Sequence, residues 1–147
     1  MYDRILVTTD GSSLSKKAVR SAIALAATTG ARLVALHVVP RYPVSYFEGA
    51  VLMPPAEVAK TEKRWADNGQ ALVDDVERKA EAAGVDAKGV IMKSDLVAES
   101  IIAAAKKHKC DLVMMASHGR KGIKRLLLGS ETQHVLTHSD VPVLVLR

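Results

Sequence analysis

The sequence predicts a three-layer α/β/α protein, in which a five-stranded, mostly parallel sheet carries helices on both faces. Two observations and a rule of chain connection predict it. Short β-branched or aliphatic runs alternate with amphipathic stretches from one end of the chain to the other. The run Arg32–Val39 is almost continuously aliphatic, the pattern of a strand covered on both sides. Alternation of this kind demands right-handed crossovers whose helices cover the apolar sheet surface.

The elements follow in order. Arg4–Asp10 reads as the first strand, stopped by Gly11-Ser12-Ser13, whose serines suit a helix cap. Leu14, Ala18, Val19, Ala22, Ile23 and Leu25 recur at three- and four-residue steps, so a helix runs over Leu14–Thr28 and Gly30 closes it. The second strand, Arg32–Val39, ends at Pro40. Residues 40–55 hold Pro40, Pro43, Pro54 and Pro55 of the five prolines, with Tyr42, Tyr46 and Phe47, and read as a loop of lid length or a disordered connection. Pro54-Pro55 opens a long helix with the stripe Val58, Trp65, Leu72, Val76 and Ala80, and Gly84 stops it. Val85–Lys93 is a weaker strand, and Ser94-Asp95 offers a cap for a helix over Leu96–Lys107. Asp111–Ala116 is the fourth strand, Ser130–Thr137 a helix and Pro142–Leu146 the last strand. Two sheet orders suit this series, 2-1-3-4-5 and 3-2-1-4-5, and both open a crevice beside the carboxyl end of strand one.

Composition narrows the function classes. At 147 residues, 48% hydrophobic and 25% charged, the chain fits one domain over 1–147 and needs no staple to hold its core. A lone Cys110 excludes an internal disulfide and Cys-x-x-Cys chemistry, and suits a reducing compartment. The start, Met1-Tyr-Asp-Arg4, lacks the marks of a secretory signal, and the apolar region Ala22–Val39 is too interrupted to span a bilayer. A cytoplasmic protein without membrane insertion is expected. Net charge +5 favours anionic partners, but 3% aromatic residues and no basic block weigh against nucleic acid.

The segment Ala116-Ser-His-Gly119-Arg120-Lys121-Gly122, continuing to Gly129-Ser130-Glu131-Thr132, lies between a buried strand and a helix. Glycines allow close backbone approach, a helix start directs N–H groups and positive dipole outward, and Arg120, Lys121, Lys124 and Arg125 add charge. That arrangement suits phosphate; the alternative is a glycine-shaped turn with a solvated basic face. Asp10, at the switch-point end of strand one, is either a ligand contact or a turn cap in Asp-Gly-Ser.

The segment resembles the nucleotide-binding signature of the universal stress protein family, Gly-x2-Gly-x9-Gly-Ser/Thr, with Gly119, Gly129 and Ser130 in register and Ala116 at the first glycine. Ile5-Leu-Val-x-x-Asp10-Gly-Ser, Leu36-His-Val38-Val and Val141-Pro-Val-Leu-Val extend the likeness over the whole chain. The resemblance implies a Rossmann-like fold of the adenine nucleotide alpha hydrolase type, order 3-2-1-4-5, binding ATP with Mg2+ or Mn2+ as a homodimer. It also implies roles. Asp10 meets the ribose or a metal ion beside Thr9, and the Val38 backbone meets adenine. Met115 and Ala116 line the nucleotide, while Gly119, Arg120, Gly129, Ser130, Glu131 and Thr132 gather at the phosphates. The uncharged run Val143–Leu146, at a sheet edge in that order, is expected to pair with a second copy.

Other candidates stay structural or open. His134 and His138, four apart on a helix, read as a surface pair rather than a metal site. His118 either touches phosphate or shapes the turn, His37 is a packed core residue, and Trp65 belongs to helix packing. No catalytic set is evident. The leading expectation is therefore a nucleotide-responsive regulatory protein, at most a slow ATPase, whose surface an unidentified protein partner reads. A stress adaptor of the same fold without nucleotide and an ATP-using α/β enzyme are the alternatives.

Overall fold

The computed structural model describes residues 1–43, 53–119 and 128–147. Among the described residues nine elements alternate: β1 (Arg4–Thr8), α1 (Ser13–Thr29), β2 (Arg32–Val39), α2 (Pro55–Ala82), β3 (Ala87–Lys93), α3 (Val97–Lys107), β4 (Leu112–Ala116), α4 (Ser130–His138) and β5 (Val143–Leu146). All strand pairs are parallel, in the order β3-β2-β1-β4-β5. Of the two orders open to the sequence, this is the one the resemblance implied.

Alternate side chains of the central strands enter opposite layers. Ile5 and Val7 join Ala18, Ala22, Val76 and Ala80 under α1 and α2, whereas Leu6 joins Ile101, Ala104 and Val135 under α3 and α4. The order-setting elements are thus the ones whose aliphatic pattern is strongest. Ser12 caps α1 by accepting from the Ser15 N–H, and Gly30 ends it in the left-handed region at φ 75°.

Four expectations need correction. The buried face of α2 is Gly69, Val73, Val76 and Ala80, while Val58, Trp65 and Leu72 are only half-buried. Only the second half of α2 packs fully, and Trp65 instead stacks on Tyr42, centroids 5.9 Å apart with 19° between the rings. Ser94 and Asp95 do not cap α3: Ser94 Oγ accepts from Leu96 N–H at 3.0 Å, and Asp95 Oδ1 from Arg41 N–H at 3.0 Å. The first strand ends at Thr8, not Asp10, because residues 9–12 turn into α1. Asp111 and Pro142 precede their strands, as Val85 and Asp86 precede β3.

Asp111 has a different task. Its carboxylate accepts the N–H groups of Asp3 at 2.8 Å and Arg4 at 3.0 Å, tying the start of β1 to the start of β4. Burial would raise its pKa, but those backbone donors outweigh it and hold the carboxyl below its ordinary value. A depressed folded-state pKa contributes stability above the unfolded value, lost as pH falls through the folded one. Asp111→Ala is expected to lower stability by about 1–2 kcal/mol at neutral pH. The gap to wild type should narrow below about pH 4, which thermal melts across pH check. Cys110 is buried beside it, and burial pushes its thiol up to about 11.

Candidate functional site

The carboxyl ends of β1, β2 and β4 and the amino ends of α3 and α4 enclose a half-open cleft of about 460 Å³. It lies at the switch point, where β1 sits between β2, reached through α1 in one layer, and β4, reached from β3 through α3 in the other. Thr9, Asp10, Val38, Met115, Ala116, Gly119, Gly129, Ser130, Glu131 and Thr132 all line it. Arg120 lies outside the described residues, as do Lys121, Gly122, Lys124, Arg125, Tyr46 and Phe47.

Local chemistry explains the assembly. Asp10 Oδ1 accepts the Ser12 N–H at 2.9 Å, a turn that Gly11 completes at φ 78°. Its other oxygen faces Gly119 so closely that a Cβ there would stand 2.8 Å from it. The capping role and the cleft position of Asp10 therefore coexist. Across the cleft, Gly129 donates its N–H to Ser117 O at 2.7 Å, and a Cβ on Gly129 would come within 3.3 Å of that same carbonyl. Neither signature glycine is at positive φ; a Cβ would crowd the Asp10 carboxylate at Gly119 and the Ser117 carbonyl at Gly129.

Gly129 caps α4 without a side-chain bond, and the first N–H groups of any α-helix lack intrahelical acceptors. The dipole adds positive potential there, which suits an anion. Thr132 serves the scaffold: its buried hydroxyl lies 3.0 Å from Ala116 O and 3.1 Å from Ser117 O, docking α4 on the end of β4. Glu131 reaches across to α3, where Oε2 accepts the Ala98 N–H at 2.9 Å and satisfies that helix's start.

Ala116, at the family's first glycine, is strand backbone paired with Leu146. Among the described residues Lys109 is the only non-glycine at positive φ, so position 116 demands no glycine. His118 Nδ1 lies 3.2 Å from Ser117 Oγ. His134 Nε2 lies 3.6 Å from Glu99 Oε1, and His138 Nδ1 lies 3.0 Å from His134 O. Among the described residues no group of three or more His, Cys, Asp or Glu is arranged to hold a metal.

The cleft also has walls that sequence reasoning did not assign to it: Leu36, Val97 and Ile101 supply apolar surface, and Thr8, Ser15 and His37 complete the lining. Val97 and Ile101 were legible only as the inward face of a helix. His37 is half-buried rather than core, and its Nδ1 lies 2.7 Å from Thr9 O.

Fold and cleft together define a Rossmann-like α/β domain with a ligand-sized hollow at the switch point of its sheet. Residues 1–147 match the family described as the universal stress protein family. The chain belongs to that family. Universal stress protein MJ0531 of Methanocaldococcus jannaschii is 33% identical over 149 residues, covering 100% of this chain and 83% of that protein. The solved structure of MJ0577, from the same organism, has a TM-score of 0.82 at 25% identity, over 99% of this chain and 96% of that one. A universal stress protein solved in complex with cAMP has a TM-score of 0.71 at 28% identity, over 99% of this chain and 97% of that one. No described helix is long and apolar enough to cross a membrane.

Proposed function

We propose that the cleft binds ATP and that the protein is a nucleotide-responsive, homodimeric stress-response regulator, with at most slow hydrolysis. The observation that carries this reading is the convergence of Asp10, Gly119 and the amino end of α4 on one hollow. An apolar wall of Leu36, Val38, Val97 and Ile101 suits a base, and the α4 end suits a phosphate chain. The cAMP complex of a related protein supports an adenine nucleotide. Thr9, Met115, Ala116, Gly129 and Ser130 complete the proposed contacts, and Arg120 joins them on sequence grounds. Thr132 and Glu131 act through the scaffold that presents α4.

The residues fit a nucleotide-borne Mg2+ or Mn2+ better than a protein-built metal cage. Asp10 and Glu131 are the described carboxylates of the cleft, and each also accepts a backbone N–H, from Ser12 and Ala98 respectively. One carboxylate plus phosphate oxygens is a donor set that Mg2+ takes readily. Calorimetric titration with ATP, ADP, AMP and cyclic AMP, with and without magnesium, tests the reading. Binding that strengthens with ATP and magnesium supports it, and four flat traces overturn it.

The dimer reading rests on β5, an edge strand whose Leu144 is 39% exposed. An apolar edge of this kind is a template for pairing with another chain. Leu144→Glu is expected to move the protein from dimer to monomer at micromolar concentration, read by light scattering on a sizing column. A wild type that is already monomeric there ends the dimer proposal.

A further inference from the structure

We infer that His37 is a positioning residue for Asp10: its imidazole holds the Thr9 carbonyl while its ring rests on α2 at Gly69. The inference rests on the nucleotide reading for its consequence, though not for its geometry. His37 Nδ1 lies 2.7 Å from Thr9 O. A carbonyl only accepts, so Nδ1 carries the proton, as it does in both the neutral tautomer and the imidazolium. The N–H of Thr9 in turn donates to Leu36 O at 2.9 Å. Both backbone polar groups of residue 9 are thus held by β2, and Thr9 itself is buried.

The Thr9 carbonyl belongs to the peptide that joins Thr9 to Asp10. Rotation of that peptide swings Asp10 at its root, so fixing the carbonyl fixes where the carboxylate enters the cleft. Downstream, the carboxylate accepts the Ser12 N–H and lies where a Cβ on Gly119 would crowd it. Upstream, the ring has little room to leave: a Cβ on Gly69 would stand 2.6 Å from His37 Cδ2 and 3.2 Å from Nε2. The chain of contacts runs from α2 through His37 and Thr9 to Asp10, and so connects a helix outside the cleft to a polar group inside it.

Two substitutions separate the donor from the ring. His37→Asn keeps an N–H donor one bond from Cγ, as Nδ1 is, whereas His37→Leu fills space without a donor. ATP affinity by calorimetry is expected to fall about five- to tenfold in His37→Leu and to stay within about twofold of wild type in His37→Asn. Amide exchange supplies a readout without nucleotide: the Ser12 N–H, which reports the Asp10 carboxylate, should exchange faster in His37→Leu and as in wild type in His37→Asn. Equal affinities and equal Ser12 exchange in all three proteins overturn the inference, as do equal losses in both variants, which would make the ring mere filling. If His37→Leu melts too low to assay, Gly69→Ala pushes the ring off Thr9 instead. Weaker ATP binding with faster Ser12 exchange then supports the inference, and no change overturns it. A wild type that takes up no adenine nucleotide defeats the nucleotide reading, while Ser12 exchange still decides the role of His37.

Discussion

Asp10→Ala is expected to weaken ATP binding by about ten- to a hundredfold, the range for losing a hydrogen bond to a charged group. The carboxylate accepts the Ser12 N–H and lies where a Cβ on Gly119 would crowd it. Alanine removes the charge and also releases the turn, so the comparison needs Asp10→Asn. Asparagine retains an oxygen for Ser12 N–H but not the negative charge. If Asp10 meets a ribose hydroxyl, Asp10→Asn keeps much of the affinity, with or without magnesium. If it meets a cation carried on the phosphates, the loss in Asp10→Asn is larger with magnesium present. Calorimetry on the three proteins distinguishes these contacts, and an Asp10→Ala protein that binds like wild type removes Asp10 from the site.

Gly69→Val is expected to destabilise the fold by about 3 kcal/mol, at the upper end of what overpacking costs. Gly69 is the first fully packed residue of α2, and a Cβ there would meet His37 Cδ2 at 2.6 Å and Val39 Cγ2 at 3.2 Å. The ring yields only by giving up its Nδ1 bond to Thr9 O. Gly69→Ala makes the test sharper through its sign. Helix propensity alone predicts a gain of about 1 kcal/mol for alanine over glycine, whereas the contact predicts a loss. Thermal or denaturant melts that show Gly69→Ala more stable than wild type would mean that α2 does not lie this close to β2.

The parts of this architecture that were legible in the sequence are the parts governed by short-range rules. Periodicity marked every strand and helix, because Ile5-Leu-Val and Arg32–Val39 lie inside the sheet and Ala18, Ala22 and Ile23 lie on one helical face. The site was legible where spacing carries chemistry, at Asp10 after a strand and at Gly119, Gly129 and Ser130 before a helix. Its cross-chain contacts were not. Glu131 was expected in the cleft and lines it, but nothing in the sequence showed that its side chain also satisfies the start of α3, some thirty residues earlier. His37 looked like core because an isolated histidine on an aliphatic strand gives no hint that Thr9 O lies beside it. The stripe on α2 was misread for a related reason. Gly69 has no side chain to register in an apolar pattern, yet its absence of bulk is what lets the helix approach β2.

The Tyr42–Trp65 stack has a practical consequence. Trp65 is the chain's single tryptophan, so indole emission comes from one known place, stacked on Tyr42 just after β2 and one helical turn before Gly69. The chain thus carries its own optical reporter, and displacement of its second helix during titration is measurable as a colour or intensity change without attaching a dye.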